Sequence, residues 1–346
     1  MEDDIIALLR LLLIFILLLA IGTRLLSNNS NNLGLGPWRR RRQITPVSVN
    51  FHFSRKCNYE CGFCFHTAKT SHVPSIEDSK RVLTLLKHEG MRKLNFAGGE
   101  PFLYPKFLAK MLQFCKLELK LESVSIVTNA SKVTERFLQQ YHEYIDILAI
   151  SCDSFNEETN IRIGRGAGNH LVNVQNVTAW CLKLKIPLKI NTVVNKFNFQ
   201  ENMNDHIQAL APFRWKCFQV LLVNGENNPS GSTPETLRDA STFLITDSEF
   251  EHFCSKHSHN KCFVPEPSKL MASSYLILDE YLRFVDRGSP TRPILEIGVQ
   301  QALRDAQWDQ SGFDERGGRY TWSKKDILAK KEGPCGSDKY GKELDW

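Results

Sequence analysis

Residues 47–64 read VSVNFHFSRKCNYECGFC, a β-branched and aromatic run that passes directly into three closely spaced cysteines. The run 47–54 has the composition of a strand. Cys57, Cys61 and Cys64 follow with the spacing Cys-x3-Cys-x2-Cys, and an aromatic, Phe63, precedes the last. Soft thiolates at this spacing suit an iron–sulfur cluster or zinc, because a loop lets their sulfurs converge on one centre. A structural zinc site wants a fourth ligand nearby, and His66, the local candidate, is poorly placed just beyond Cys64. Three thiolates fit a 4Fe–4S cluster that keeps one iron open for a substrate or cofactor.

Outward from this stretch, short apolar runs alternate with segments of helical period. Strands are expected at 47–54, 93–97, 123–129, 147–152, 187–194 and 217–223. Helices are expected near 75–89, 105–116, 133–143, 169–185, 201–211 and 246–258. Alternation of this kind predicts an α/β fold with a parallel sheet and crossover helices. Six units rather than eight point to an open or partial barrel. Its site belongs beyond the carboxyl ends of the strands.

The 346 residues carry a net charge of +6, part of it in the run Arg39 to Arg42, so overall charge discriminates little between partners. Ten cysteines are present, but the chain is long enough to build a core without disulfide staples. Outside the cluster stretch, most of them sit in apolar runs and read as small hydrophobes in a reducing compartment.

The chain divides into an apolar amino-terminal segment (1–26), a linker rich in Asn, Gly and Ser (27–46), the α/β domain (47–285) and a carboxy-terminal extension (286–346). Residues 5–22 are apolar apart from Arg10. A membrane-binding helix is expected there, and the sequence leaves open whether it spans the bilayer or lies along it. Glu2, Asp3 and Asp4 precede the segment and basic residues follow it. If it spans, the rest of the chain is cytosolic.

A second motif, Gly98-Gly99-Glu100-Pro101, closes the second expected strand. Two glycines let backbone approach a ligand, and a carboxylate can accept from an ammonium. The cysteine spacing, Phe63 and this motif, each at its strand end, resemble the radical S-adenosylmethionine (SAM) superfamily. In that superfamily the glycine-rich element contacts the amino group of SAM's methionine. The segments 51–71, 93–103, 147–160, 213–222 and 274–284 are similar to the viperins, an interferon-induced antiviral family within it.

That resemblance implies a partial (β/α)6 barrel, a 4Fe–4S cluster, SAM and a nucleotide substrate. Viperins convert CTP to 3′-deoxy-3′,4′-didehydro-CTP, a chain terminator for viral polymerases. The resemblance implies SAM contacts at Gly98, Gly99, Glu100, Ser151 and Arg165, and nucleotide contacts at Lys93, Lys189, Asn191, Arg214, Lys216 and Tyr275. It further implies attachment to the cytosolic face of the endoplasmic reticulum and to lipid droplets. Trp346 would be recognised by the cytosolic iron–sulfur targeting machinery, and no direct nucleic-acid binding is expected. The chain departs from the family in a longer stretch between Trp322-Ser323-Lys324 and Trp346, and in a less amphipathic amino terminus. Two other readings stay open: a radical SAM enzyme with a different substrate, and a membrane-anchored interaction protein whose cluster is structural.

Overall fold

The computed structural model describes residues 43–231 and 236–329. The apolar segment at 5–22, the arginine run, Cys335 and Trp346 lie outside them. Among the described residues no helix is long and apolar enough to cross a membrane.

Six strands run parallel and in chain order: β1 (Ser48–His52), β2 (Lys93–Ala97), β3 (Ser123–Thr128), β4 (Ile147–Ser151), β5 (Leu188–Val194) and β6 (Arg214–Gln219). A seventh, β7 (Phe263–Glu266), pairs parallel to β6. On the other side of β1 lie β8 (Ile277–Leu278, parallel to β1), then β9 (Arg283–Asp286), antiparallel to β8, and β10 (Ser289–Pro293), antiparallel to β9. Neighbouring parallel strands cannot be joined by a tight turn, so each return needs a crossover. Helices supply most of these crossovers: α1 (Ile76–His88), α2 (Pro105–Gln113), α3 (Glu135–Tyr141), α4 (Glu157–Arg162), α5 (His170–Lys183), α6 (Asn204–Leu210) and α7 (Asp247–His257).

The helix starts are written locally. Ser75 caps α1 by accepting from Asp78 N at 2.9 Å, with Glu77 and Asp78 in the first turn and Lys87 and His88 in the last, as the helix dipole favours. Its buried side chains Ser79, Val82, Leu83 and Leu86 recur at helical spacing and face the sheet. Thr246 and Glu249 form a reciprocal capping box on α7.

The period-2 alternation of β1 divides its residues between two environments. Val49, Phe51 and Phe53 are buried in the apolar core, where Phe53 stacks on Phe107 with centroids 4.7 Å apart. Ser48, Asn50 and His52 face the opposite way and line a cavity. The same split recurs on β5, where Ile190 and Val194 are in the core while Lys189 and Asn191 line the cavity.

Two expected boundaries move. The sixth strand is Arg214–Gln219 rather than 217–223. Its cavity face carries Lys216, so the strand is less apolar than the loop that follows, and hydrophobicity alone places it too late. The sheet also continues past residue 285, because β9 and β10 form a hairpin across that boundary. Arg287 and Gly288, at φ 47° and 93°, supply the two positive-φ residues that a two-residue hairpin turn requires.

Candidate active site

The cavity holds ≈ 390 Å³ and joins two chemically different ends. At one end stand Cys57, Cys61 and Cys64, on the loop just beyond β1. Lys93, Lys189 and Lys216 occupy the other. Lys93 opens the strand that Ala97 closes about 13 Å further along, at 3.3 Å per residue.

The cysteine loop is held from several sides. Glu60 N and Gly62 N donate to Gly164 O and Ile163 O at 3.1 and 3.0 Å, tying the loop to the segment after α4. Arg55 donates to Glu280 at 2.9 Å and to Glu226 at 3.0 Å, and all three side chains are buried. Glu226 also accepts from Thr67 N and Thr67 Oγ1, each at 3.2 Å. Phe63 packs edge-on against Phe243.

The glycine motif presses on the same loop. Gly99 N donates to Ser54 O at 2.8 Å and Glu100 N to Lys56 O at 2.9 Å. A Cβ at Gly99 would collide with the backbone of Arg55 and Lys56, and Gly98 has φ 118°, so both positions require glycine.

Burial raises the thiols of Cys57 and Cys64 and pushes Cys61 up to about 12, while the guanidinium of Arg165 pulls all three the other way. Unligated, they are thiols, and binding a cluster must displace their protons. Among the described residues no group of His, Cys, Asp and Glu is arranged to hold a single metal ion. Three soft ligands around one cavity wall, with a cation behind them, fit a cluster wider than one ion. His66 is buried against His52, ring centroids 4.4 Å apart.

The remaining expected contacts divide. Ser151 and Arg165 line the cavity, but Arg165 is bound to Asp153, donating through Nε at 2.7 Å and pairing through Nη2 at 2.5 Å. Glu100 does not line it. Its carboxylate is buried and accepts from Phe102 N at 3.0 Å, Thr128 Oγ1 at 2.8 Å and Asn129 N at 2.7 Å. That burial, partly offset by those donors, raises its pKa to about 7.

At the basic end, Lys93 Nζ donates to Tyr320 Oη at 2.6 Å, and Lys216 Nζ to Tyr275 Oη at 2.9 Å. Tyr275 donates in turn to Glu266, which also pairs with Lys216 and lies 3.6 Å from Arg316. Burial raises the Glu266 carboxyl, but Lys216 and Arg316 outweigh it and hold the group below its ordinary value. Burial lowers Lys93 and Lys189 to about 7; Arg214 adds to the shift of Lys93, and Tyr320 partly opposes that of Lys189. Asn191 lies on the same face as Lys189 and beside Ser151 in register. Arg214 stays outside the lining: it stacks over the Tyr320 ring at 4.2 Å and donates to Gly317 O. Arg316 and Tyr320 were not singled out by the sequence, because they arrive from a segment with no periodic pattern. Asp153 lies two residues beyond the end of β4, where the strand pattern no longer marks it.

The model of the radical SAM superfamily matches residues 51–210. S-adenosylmethionine-dependent nucleotide dehydratase RSAD2 of Oncorhynchus mykiss is 52% identical over 291 residues, covering 82% of this chain and 82% of that protein. The chain belongs to the S-adenosylmethionine-dependent nucleotide dehydratases. The family member of Danio rerio is also 52% identical, covering 82% of this chain and 80% of its own. More distantly, the nucleotide dehydratase of the Thermoplasmatales archaeon ISO4-H5 is 34% identical, covering 80% and 96%. Streptococcus suis SuiB bound to S-adenosylmethionine shares the fold at a TM-score of 0.55 and 17% identity, covering 80% of this chain and 69% of that one. The nucleotide dehydratase thus shares a radical SAM α/β fold and its requirement for a 4Fe–4S cluster and SAM.

Proposed function

We propose that this nucleotide dehydratase converts CTP to 3′-deoxy-3′,4′-didehydro-CTP within the cavity described above. The observation that carries the reading is the cavity's two ends: three cysteines and a layer of buried and half-buried lysines line one cavity. A nucleoside triphosphate is the substrate class that needs a strongly basic anchor at one end and radical chemistry at its sugar. Held by Cys57, Cys61 and Cys64, the cluster with SAM would supply a 5′-deoxyadenosyl radical, a species able to take the hydrogen from the ribose 4′ carbon. The chain's own residues bind, orient and exclude water. Lys93, Lys189, Lys216 and Arg316 anchor the triphosphate by charge-assisted hydrogen bonds. Asn191 and Tyr275 fix its rotation. Gly98, Gly99, Ser151 and Arg165 form the wall against SAM, and Glu100 supports that wall from behind. Loss of the 3′ hydroxyl as water then requires one electron and one proton from outside the pair.

The parallel order β1 to β6, with a polar inner face on β1 and β5, supports a partial (β/α)6 barrel. The acidic-before, basic-after pattern around residues 5–22 supports attachment to the cytosolic face of the endoplasmic reticulum or to lipid droplets, and Trp346 is proposed as the contact for iron–sulfur delivery. Anaerobic reconstitution followed by a panel of nucleoside triphosphates tests the chemical claim. Release of 5′-deoxyadenosine strongly stimulated by CTP is expected. Equal release with every nucleotide, or with none, overturns the substrate assignment.

A further inference from the structure

Asn129 bridges the end of β3 and the cysteine loop. Its backbone N–H donates to Glu100 Oε2 at 2.7 Å, the contact that locks the carboxyl end of β3 to the glycine motif. Its side-chain oxygen accepts from Ser131 N at 3.0 Å and Ser131 Oγ at 2.6 Å. A backbone N–H can only donate, so these bonds fix which end of the amide is oxygen. The side-chain nitrogen therefore faces the cysteine loop. It donates to Asn58 Oδ1 at 3.1 Å and reaches Cys57 Sγ at 3.8 Å.

The three cysteines are not equivalent in this respect. Cys57 Sγ accepts from Tyr59 N at 3.4 Å and from Asn129. Cys61 and Cys64 instead donate, to Gly164 O at 3.6 Å and His66 O at 3.5 Å, bonds that vanish once the thiols are deprotonated by a cluster. Asn129 is buried, and so is the Glu100 carboxylate that anchors it.

We propose that the Asn129 side-chain amide donates to the Cys57 sulfur in the loaded protein and raises the reduction potential of the cluster, with Glu100 as the positioning residue that holds Asn129 in place. Reducing the cluster by one electron puts more negative charge on its thiolate sulfurs. An N–H directed at one of them stabilises the reduced form more than the oxidised form. Glu100, expected from the motif to meet SAM, thus acts on the cluster through its neighbour.

The test is an EPR-monitored redox titration of anaerobically reconstituted full-length protein. Asn129→Asp keeps the shape and replaces the donor by an acceptor. The expected result is a reduction equilibrium about tenfold less favourable, a midpoint about 59 mV lower for a one-electron couple, at wild-type iron content. Asn129→Ala is expected to shift it in the same direction by less. An unchanged midpoint in a fully loaded Asn129→Asp overturns the proposal. Should either variant fail to hold iron, the wild-type holoprotein labelled with 15N in its asparagine side chains decides the matter by pulsed EPR. A nitrogen coupling to the reduced cluster that disappears in Glu100→Gln or Asn58→Ser supports the bond, and the absence of any such coupling in the wild type overturns it.

Discussion

The cysteine end and the lysine end of the cavity are assembled by opposite strategies. At the cysteine end, three ligands come from one loop, and the fold's work is to brace that loop with Glu226, Glu280, the glycine motif and the backbone of residues 163–164. At the lysine end each strand contributes one cation, from β2, β5 and β6, and the carboxy-terminal segment adds Arg316 and Tyr320. A cluster needs several sulfurs within a few ångströms, which a short loop delivers. A triphosphate is longer and carries dispersed charge, so its anchor is spread across a sheet. The two ends should therefore fail independently.

The largest effect expected is at the cysteine end. Cys61→Ala removes a buried ligand and should abolish assembly of the cluster, read as iron and sulfide content after anaerobic reconstitution. Triphosphate binding to the same variant, followed by calorimetry, should stay within about threefold of wild type, since its anchor lies at the far end of the cavity. A comparable loss of both would merge the two regions into one. Next, Lys189→Ala removes a charge-assisted hydrogen bond worth roughly 1.5–3 kcal/mol, so CTP affinity should fall about 10- to 150-fold while SAM affinity is preserved. Equal weakening of both ligands would remove Lys189 from the triphosphate anchor.

A smaller, graded effect should follow pH. Lys93 and Lys189 are lowered to about 7 in the unliganded protein. A bound triphosphate favours their charged forms, so binding should take up protons, and affinity should decline as pH rises through about 7. The sign for stability is opposite. Between about pH 7 and 10.5 the unfolded chain holds protons that these folded-state lysines release, so ligand-free stability should rise with pH across that window. Calorimetry in buffers of different ionisation enthalpy measures the proton uptake directly. The smallest change expected is from Tyr320→Phe, which removes the hydroxyl on Lys93 and leaves the ring under Arg214. Triphosphate affinity should move by only a few-fold, with no change in cluster content.

The same contrast explains how much of the molecule was legible in the sequence. Cys57, Cys61 and Cys64 sit within eight residues, so their spacing states their chemistry, and Ser75 or the Thr246–Glu249 box announces a helix within four. The alternation of strand and helix gave the parallel order of β1 to β6. Glu100 was legible as a motif member but not in its direction, because whether a carboxylate faces a ligand or the strand behind it depends on β3, some thirty residues away. Tyr320 reaches Lys93 across 227 residues of chain, Arg316 meets Glu266 and the Tyr275 ring from a separate segment, and no local pattern encodes either meeting. Strand β6 was placed late because its inward charge at Lys216 is a site feature, paired with Glu266 on β7, and not a packing feature.

The most direct test of the central claim follows the hydrogen atom. Reconstituted protein is given SAM, a low-potential reductant and CTP carrying deuterium at the ribose 4′ carbon, and the 5′-deoxyadenosine formed in one turnover is analysed by mass spectrometry. One deuterium in 5′-deoxyadenosine, matched by an equal amount of dehydrated nucleotide, is the result expected. Undeuterated 5′-deoxyadenosine, formed at the same rate whether or not CTP is present, would contradict a cavity in which the cysteine end acts on what the lysine end holds.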